Sequence, residues 1–299
     1  MQLSTHNLSK TQWLRVNQCP NGVGEKQADH TTQTKIKMKR LQISTFVFVV
    51  FYLVSCRNEP AKNISNIIHI DNIVDLTHTL TSEFPFIPVK KLTYPFELIP
   101  MATLKENGVE ANSWKIHEHL GTHTDAPNHF IAGQKSLDQL DLKDLIVPVV
   151  VIDIEAKALK SSDAELTIDD INKFEKEHGK IPDHSCVMMY SGWEKHLKDS
   201  MFVGLDSKQV KHYPGFSNDA IKFLVKERKI AGIGVDALSF DPGTDENYTG
   251  HKTLFEAGKW GVECVANLNK IPKTGATVIV AAPKVRKATG SFSRIIAVW

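Results

Sequence analysis

The chain has 299 residues, of which 41% are hydrophobic and 23% are charged, and these are ordinary values for a globular protein. Its net charge of +2 gives no general attraction to nucleic acid, and no basic patch with interleaved aromatic residues is present in the sequence. We therefore expect no nucleic-acid partner.

The amino-terminal segment, residues 1–37, is polar and carries no clear periodicity. Met38 begins a stretch that resembles the start of a signal peptide, so residues 1–37 are predicted to be either disordered or not translated.

A signal peptide of the lipoprotein type is predicted over residues 38–55. Basic residues precede an apolar run from Leu41 to Val54, which is followed by a small residue, as in secretory signals. The run is short for a membrane span, which needs about 20 residues. Its end, Leu53-Val-Ser-Cys56, resembles a bacterial lipobox, in which the cysteine is acylated and becomes the first residue.

These features predict an exported bacterial lipoprotein on the periplasmic or outer-membrane side, whose membrane contact is a lipid anchor at Cys56. Residues 56–68 then form a tether to a domain at 69–299. A buried strand or a plain membrane anchor remain the alternatives for the apolar run.

Strands are predicted to outnumber helices in the domain. Strands are expected from β-branched or apolar runs at residues 73–76, 146–154, 186–190, 230–235, 277–282 and 295–299. Thr167 and Asp170 form a capping box before a helix that ends at Gly179, and Ser217 caps a second helix. The pattern predicts an α/β fold with a mixed, barrel-like central sheet and outer helices.

A proline-rich segment with several aromatic residues occupies positions 82–100. It cannot form a helix, and it is either a wall of a substrate pocket or an ordinary loop. Cys186 and Cys264 lie in apolar runs, which favours buried thiols over a disulfide.

The strongest chemical signal lies at residues 119–129, where His119, His123, Asp125 and His129 fall within eleven positions. Imidazole nitrogens and carboxylate oxygens are the ligands that zinc and similar divalent metals prefer. Gly121 and a proline argue against a helix here, so we predict a strand over residues 114–119 that runs into a tight loop. The alternative is a polar loop without a metal.

A metal held by three protein ligands keeps open coordination positions, unlike a structural zinc site with four, and this favours a hydrolase. His129 then serves either as a proton-transfer residue or as a fourth ligand. A GxSxG motif and a complete GxGxxG motif are absent from the sequence.

The pattern His119-x-Gly-Thr-His123-x-Asp125-x-Pro-x-His129 is similar to the signature of the metal-dependent cyclase family, which includes bacterial kynurenine formamidases and isatin hydrolases. Further family-like segments lie at residues 75–80, 187–193, 213–217 and 232–239, so the resemblance covers about residues 70–299. It implies a swivelling β/β/α fold, usually assembled as a dimer or tetramer.

The resemblance also implies the ligands. His119, His123 and Asp125 match a first metal site, and Asp125 can bridge to a second metal completed by His251 and Glu263. One or two ions are expected, with Zn²⁺ preferred and Mn²⁺ as the alternative. His129 matches the proton-transfer residue. Without the resemblance, His251 and Glu263 would be interpreted as solvated surface residues.

The implied substrate is a small amide: an arylformamide such as N-formylkynurenine, or an isatin-like lactam. An exported location argues against a routine part in cytosolic tryptophan catabolism. The competing hypotheses are a periplasmic metal-binding lipoprotein without turnover, and a structural lipoprotein in which the histidines are incidental.

Several supporting residues have two interpretations. Asp236 and Asp241 either accept hydrogen bonds from metal-bound imidazoles or cap local turns. Five aromatic residues are candidates for the pocket wall or for the core: Phe84, Phe86, Trp114, Phe130 and Trp193.

Overall fold

A strongly curled sheet of nine strands organises the structure, a computed structural model that describes residues 70–299. The predicted signal peptide, the tether and Cys56 lie outside the described residues. Of the helices between residues 70 and 299, none has both the length and the apolar character needed to span a membrane.

The strands of the described region are β1 (Ile73–Asp75), β2 (Glu97–Ala102), β3 (Ala111–Lys115), β4 (His123–Asp125), β5 (Ile146–Asp153), β6 (Glu165–Leu166), β7 (Cys186–Tyr190), β8 (Gly215–Phe216), β9 (Gly232–Val235), β10 (Trp260–Glu263), β11 (Ala276–Ala281), β12 (Gly290–Phe292) and β13 (Arg294–Val298). The α-helices are α1 (Leu104–Asn107), α2 (Leu142–Leu145), α3 (Glu155–Ala158), α4 (Ile168–His178), α5 (Asn218–Glu227) and α6 (Thr249–Glu256). Short 3₁₀ turns lie at Pro127–His129, Leu137–Gln139, Trp193–His196 and Leu268–Lys270.

The nine-stranded sheet is mixed, as predicted. Its order is β1-β13-β11-β5-β7-β9-β10-β4-β12. The four central strands, from β5 to β10 in this order, run parallel to one another, and antiparallel strands continue the sheet on both sides. The pairs β2-β3 and β6-β8 form two small separate sheets.

The curl of the sheet follows from its connectivity. Strand β12 is an edge strand, and β13 is second from the opposite edge, yet only Ser293 separates them in the chain. Because neighbouring Cα atoms are about 3.8 Å apart, the two ends of the sheet must come close together. An antiparallel bridge between Thr77 and Val265 joins them again.

The sheet has an apolar cluster on each face. In β5, Val150 and Ile152 belong to one cluster, whereas Val147, Val149 and Val151 belong to the other, which is the period-two alternation of a strand buried on both sides.

Helices α4 and α5 pack their apolar faces on the first of these clusters. Both predicted caps are confirmed: Thr167 and Asp170 form the capping box of α4, which ends at Gly179, and the Ser217 side chain accepts from the Ala220 amide of α5.

Two further predictions have outcomes in the fold. Cys186 and Cys264 are buried free thiols, as expected. The strand predicted over residues 114–119 is wrong in extent, because β3 ends at Lys115. Lys115 pairs with Glu97, the first residue of β2, so no partner strand continues beyond it. Residues 116–122 form a loop, and Gly121 turns it with a φ of +73°.

Candidate metal centre

Strand β4, next to the edge strand β12 in the curled sheet, carries two of the predicted ligands. It is paired on both sides, with β10 and with β12, and every residue in it is buried. His123 lies directly opposite Glu263 in the antiparallel register. Since such cross-strand neighbours have Cβ atoms about 5 Å apart, this register brings an acidic residue 140 positions away to the histidine loop.

Helix α6 supplies His251 from its first turn. The Asp241 carboxylate fixes this turn by accepting hydrogen bonds from the amides of Gly250 at 2.6 Å and His251 at 3.2 Å. It also accepts a hydrogen bond from Nδ1 of His251 at 2.5 Å, so Nε2 is the nitrogen that faces the site.

Four side chains, from His123, Asp125, His251 and Glu263, form a buried square of alternating imidazoles and carboxylates. Nε2 of His123 lies 3.3 Å from Oδ1 of Asp125 and 3.3 Å from Oε2 of Glu263. Nε2 of His251 lies 3.5 Å from Oδ2 of Asp125 and 3.4 Å from Oε1 of Glu263.

His119 and His129 extend this cluster on the other side of Asp125. Nδ1 of His119 lies 2.6 Å from Oδ1 of Asp125, and its Nε2 lies 3.0 Å from Oγ1 of Thr289. The His129 ring stacks on that of His119, with centroids 3.8 Å apart and planes inclined by 19°.

The potential donors form two groups that share Asp125. One group is His119, Asp125 and His129, and the other is His123, Asp125 and Glu263; the donor atoms of each lie within 4.8 Å of one another. The family resemblance instead implies a division into His119 with His123 and His251 with Glu263, with Asp125 between them. Both roles predicted for His129, proton transfer and metal ligation, are compatible with this placement.

The donor set fits a divalent cation. Nε2 of His123 and Oδ2 of Asp125 are buried without a hydrogen-bond partner. Leaving such atoms unsatisfied costs about 1–3 kcal/mol each, and native proteins rarely do so without a bound group. Imidazole nitrogen together with carboxylate oxygen is the ligand chemistry of Zn²⁺ and Mn²⁺.

The charges of the metal-free cluster lead to the same conclusion. Burial disfavours charge on His123, but the carboxylates of Asp125 and Glu263 prevail and raise its pKa to about 10. Burial and the Asp125 charge likewise oppose ionisation of Glu263, yet the imidazoles of His123 and His251 beside it lower its pKa to about 2. The carboxylates thus hold protons on the two imidazoles, and a divalent cation can take the place of those protons.

His129 differs from the histidines of the square. Burial lowers the pKa of His129 to about 4, so the ring is neutral at physiological pH. Its nitrogens make no hydrogen bond to any residue of the described region. A neutral imidazole with free nitrogens beside a metal cluster can accept and donate a proton.

The two buried aspartates have different partners. Asp241 holds an imidazole of the cluster, as one interpretation predicted for both residues. Asp236 instead accepts from the amides of Ser191 and Trp193 and from the Ser191 hydroxyl, so it caps a turn.

A cavity of about 530 Å³ opens onto the cluster. The proline-rich segment forms one wall, which confirms the first of its two predicted roles. Phe86 and Phe130 line this cavity, but Phe84 and Trp193 belong to the core and Trp114 is 58% exposed. A cavity of this size and apolar character suits a small aromatic ligand.

Two residues that no sequence pattern indicated, Tyr248 and Thr289, also line the cavity. No spacing signal connects Thr289 to residues 170 positions earlier in the chain. His117, next to the motif, also lines the cavity, and its Nε2 is buried without a hydrogen-bond partner.

Comparison with known proteins places this site in context. A family model described as Putative cyclase matches residues 74–242, more than half of the chain. The isatin hydrolase of Roseibium aggregatum is 33% identical over 240 residues, which cover 75% of this chain and 90% of the relative. The kynurenine formamidase of Bacillus mycoides is 30% identical over 156 residues, 52% of this chain and 65% of the relative.

Solved structures agree. Isatin hydrolase A from Labrenzia aggregata, bound to benzyl benzoate, superposes with a TM-score of 0.72 and 35% identity, over 76% of this chain and 93% of that one. An isatin hydrolase bound to the product analogue thioisatinate gives a TM-score of 0.72 and 32% identity, over 76% and 92% of the two chains. The fold implied by the sequence resemblance is thereby confirmed.

Proposed function

The chain belongs to the cyclase family of metal-dependent hydrolases, and from this premise we propose that it hydrolyses a small cyclic amide of the isatin type. The observation that carries the proposal is the buried square of two imidazoles and two carboxylates at the end of an apolar cavity, with one atom of His123 and one of Asp125 unsatisfied.

The cavity favours a lactam over N-formylkynurenine. Among the described residues that line it, none is Lys or Arg, whereas an amino-acid substrate would bring a carboxylate that needs a cationic partner. Isatin carries no such charge. The sequence similarity to isatin hydrolase is also greater, because that relative is 33% identical over 240 residues, whereas a kynurenine formamidase matched over a comparable 224 residues is 26% identical. Arylformamides are the second substrate class.

The residues divide the work between holding a metal and moving a proton. Five side chains would hold one or two divalent ions, with Zn²⁺ preferred and Mn²⁺ as the alternative. They are those of His119, His123, Asp125, His251 and Glu263. When bound, such an ion supplies a nucleophilic water at neutral pH and stabilises negative charge on a carbonyl oxygen. Neutral His129 accepts a proton and returns it to the leaving nitrogen, while Phe86 and Phe130 hold the aromatic ring.

A substrate panel tests the proposal. The metal-loaded protein is assayed on isatin, formanilide and N-formylkynurenine, and its metal content is measured by elemental analysis. We expect isatin hydrolysis and at least one ion per chain. The variants His123→Ala and Asp125→Ala are expected to lose both metal and activity. Full activity in either variant, or a metal-loaded protein inactive on all three substrates, would overturn the proposal.

The alternative of a metal-binding protein without turnover finds no support in the similarity to isatin hydrolase and kynurenine formamidase, which are both named as enzymes. The same panel discriminates between the two, since tight metal retention with no hydrolysis would favour the alternative.

We also propose that the protein is exported as a lipoprotein anchored at Cys56, and that it forms dimers or tetramers. The support for the anchor is the basic and apolar pattern that ends in Leu53-Val-Ser-Cys56. Replacement of Cys56 by Ser should prevent acylation and move the protein out of the detergent phase. Unchanged detergent partitioning would count against the anchor, and a monomer in light scattering would count against the assembly.

A further inference from the structure

Tyr248 has an unusual backbone conformation at the edge of the cavity. Its φ of 52° and ψ of 49° lie in the left-handed region, which residues with a Cβ atom avoid because that atom approaches the next carbonyl oxygen. Asn, Asp and Gly adopt this region far more readily than an aromatic residue. Strained residues of this kind cluster at functional sites, where the surrounding structure enforces them.

The structure fixes Tyr248 from both sides. The Asp245 carboxylate accepts hydrogen bonds from the Asn247 amide at 2.9 Å and from the Thr249 amide at 2.8 Å, so it holds the residues before and after the tyrosine. The Tyr248 carbonyl then accepts from the Lys252 amide at 3.1 Å in the first turn of α6. The conformation is therefore built into the loop and does not result from loose packing.

The consequence of this backbone is the position of the phenol ring. The ring centroid lies 5.3 Å from that of Phe130 and 5.7 Å from that of His251, to which it is perpendicular. Tyr248 therefore connects the aromatic part of the cavity to the metal cluster.

The hydroxyl of Tyr248 has no partner in the described part of the chain, although the side chain is half-buried. This hydroxyl is not one of the buried unpartnered atoms of the described residues, so it is accessible from the cavity. An aromatic ring with an accessible, free hydroxyl is a common way to orient a ligand. Tyr94, by comparison, donates to the Ile116 carbonyl at 3.0 Å.

We propose that Tyr248 is a substrate-binding residue, whose hydroxyl donates a hydrogen bond to a carbonyl oxygen of a planar aryl amide and whose ring packs on that substrate together with Phe130. The left-handed backbone is retained because it directs the phenol into the cavity. This inference rests on the proposed amide hydrolase function and names the residue that selects a substrate with a carbonyl group.

The test is Tyr248→Phe in the metal-loaded enzyme, since this change removes the hydroxyl and keeps the ring. We expect KM for isatin to rise roughly tenfold with a smaller change in kcat, because a lost hydrogen bond to a substrate weakens binding by about this factor. The Tm should stay unchanged, because no protein partner is lost. Tyr190→Phe makes the same chemical change at a hydroxyl that faces Glu155, outside the cavity, and should leave KM unaltered.

A second pair of variants measures the strain. Tyr248→Gly and Tyr248→Ala both remove the ring, but only glycine adopts the left-handed region without a Cβ clash. The Gly variant should therefore melt a few degrees above the Ala variant. An Ala variant as stable as the Gly variant would show that the backbone is not strained.

Calorimetric binding of thioisatinate separates this inference from the proposed function. If wild type and Tyr248→Phe hydrolyse isatin with the same KM and bind thioisatinate with the same affinity, the role of Tyr248 is overturned. The hydrolase proposal would stand in that case. Tyr248-dependent binding without turnover of any amide would overturn the hydrolase proposal alone. A wild type that neither binds nor hydrolyses would overturn both.

Discussion

Asp241 accepts a hydrogen bond from Nδ1 of His251 at 2.5 Å, and the opposite nitrogen of the same ring lies between Asp125 and Glu263. A carboxylate behind a metal-binding imidazole fixes the tautomer and the orientation of the ring. The position of His251 in the cluster therefore depends on a residue ten positions earlier that does not face the site.

Replacement of Asp241 by Asn should weaken metal affinity by about 10–100-fold, because the ring loses its charged acceptor. Titration with Zn²⁺ or Mn²⁺ against a competing chelator measures the change. Asp236→Asn is the matched control, since Asp236 is equally buried but caps the turn at Ser191. It should lower the Tm and leave metal affinity intact; equal losses of affinity in both variants would refute the positioning role of Asp241.

Replacement of His129 by Ala should preserve most of the bound metal and slow turnover by roughly 10²–10⁴-fold, the usual contribution of a general acid or base. The measurements are elemental analysis and kcat on the substrate that the wild type hydrolyses. If the variant loses its metal instead, His129 is a ligand.

Gly290 leaves room for His119. A Cβ atom at this position would lie 2.5 Å from Cε1 of His119 and 2.8 Å from the Thr124 carbonyl oxygen. Gly290→Ala should therefore displace His119 from Asp125 and lower activity by at least tenfold, with a loss of about 1–3 kcal/mol in unfolding free energy.

Gly232→Ala provides the comparison for this steric effect, since its Cβ would lie 2.4 Å from the ring of Trp260 in the core. It should reduce stability without a matching loss of activity per folded molecule. Wild-type activity in Gly290→Ala would show that the position of His119 is not critical.

The ion pair of Glu175 and Arg228 stabilises the folded protein by an amount that depends on pH. Glu175 accepts from Nε of Arg228 at 2.6 Å and from Nη2 at 2.7 Å, and these bonds lower the pKa of Glu175. Because the folded-state pKa lies below the unfolded value of about 4.3, the stabilisation is complete above that value and disappears as the pH falls through the folded pKa.

Glu175→Gln should therefore lower the Tm by a few degrees at pH 7, and the difference from wild type should shrink below about pH 4, where the native carboxylate becomes protonated. Thermal melts at both pH values measure this. Glu177→Gln, an exposed change in the same helix, should have little effect at either pH. If the Tm difference between Glu175→Gln and wild type is the same at both pH values, the carboxylate charge does not contribute to stability.

Local features of the sequence predicted local features of the structure well. Strand propensity and capping chemistry were sufficient to predict three of these features, because both act between neighbouring residues. The features are the cap of α4 by Thr167 and Asp170, the cap of α5 by Ser217 and the β-branched run of β5. The extent of β3 was missed because it depends on where β2 begins, which no pattern within residues 111–119 reveals.

The site was predictable to the extent that its ligands are close in sequence. His119, His123 and Asp125 form a recognisable spacing, whereas Glu263 reaches His123 only through the register of β10 on β4. For the same reason residue chemistry did not separate Asp241 from Asp236, since their partners are set by tertiary packing. A left-handed tyrosine such as Tyr248 has no sequence signature at all.

The single residue between β12 and β13 has a consequence for the order of folding. Strand β12 completes the pairing of β4 at Asp125, and β13 pairs with β1. Both pairings join segments that lie far apart in the sequence, and such pairings form slowly. We therefore expect the backbone amides of β4 and β1 to become protected together, late in refolding, when hydrogen exchange is measured during that reaction.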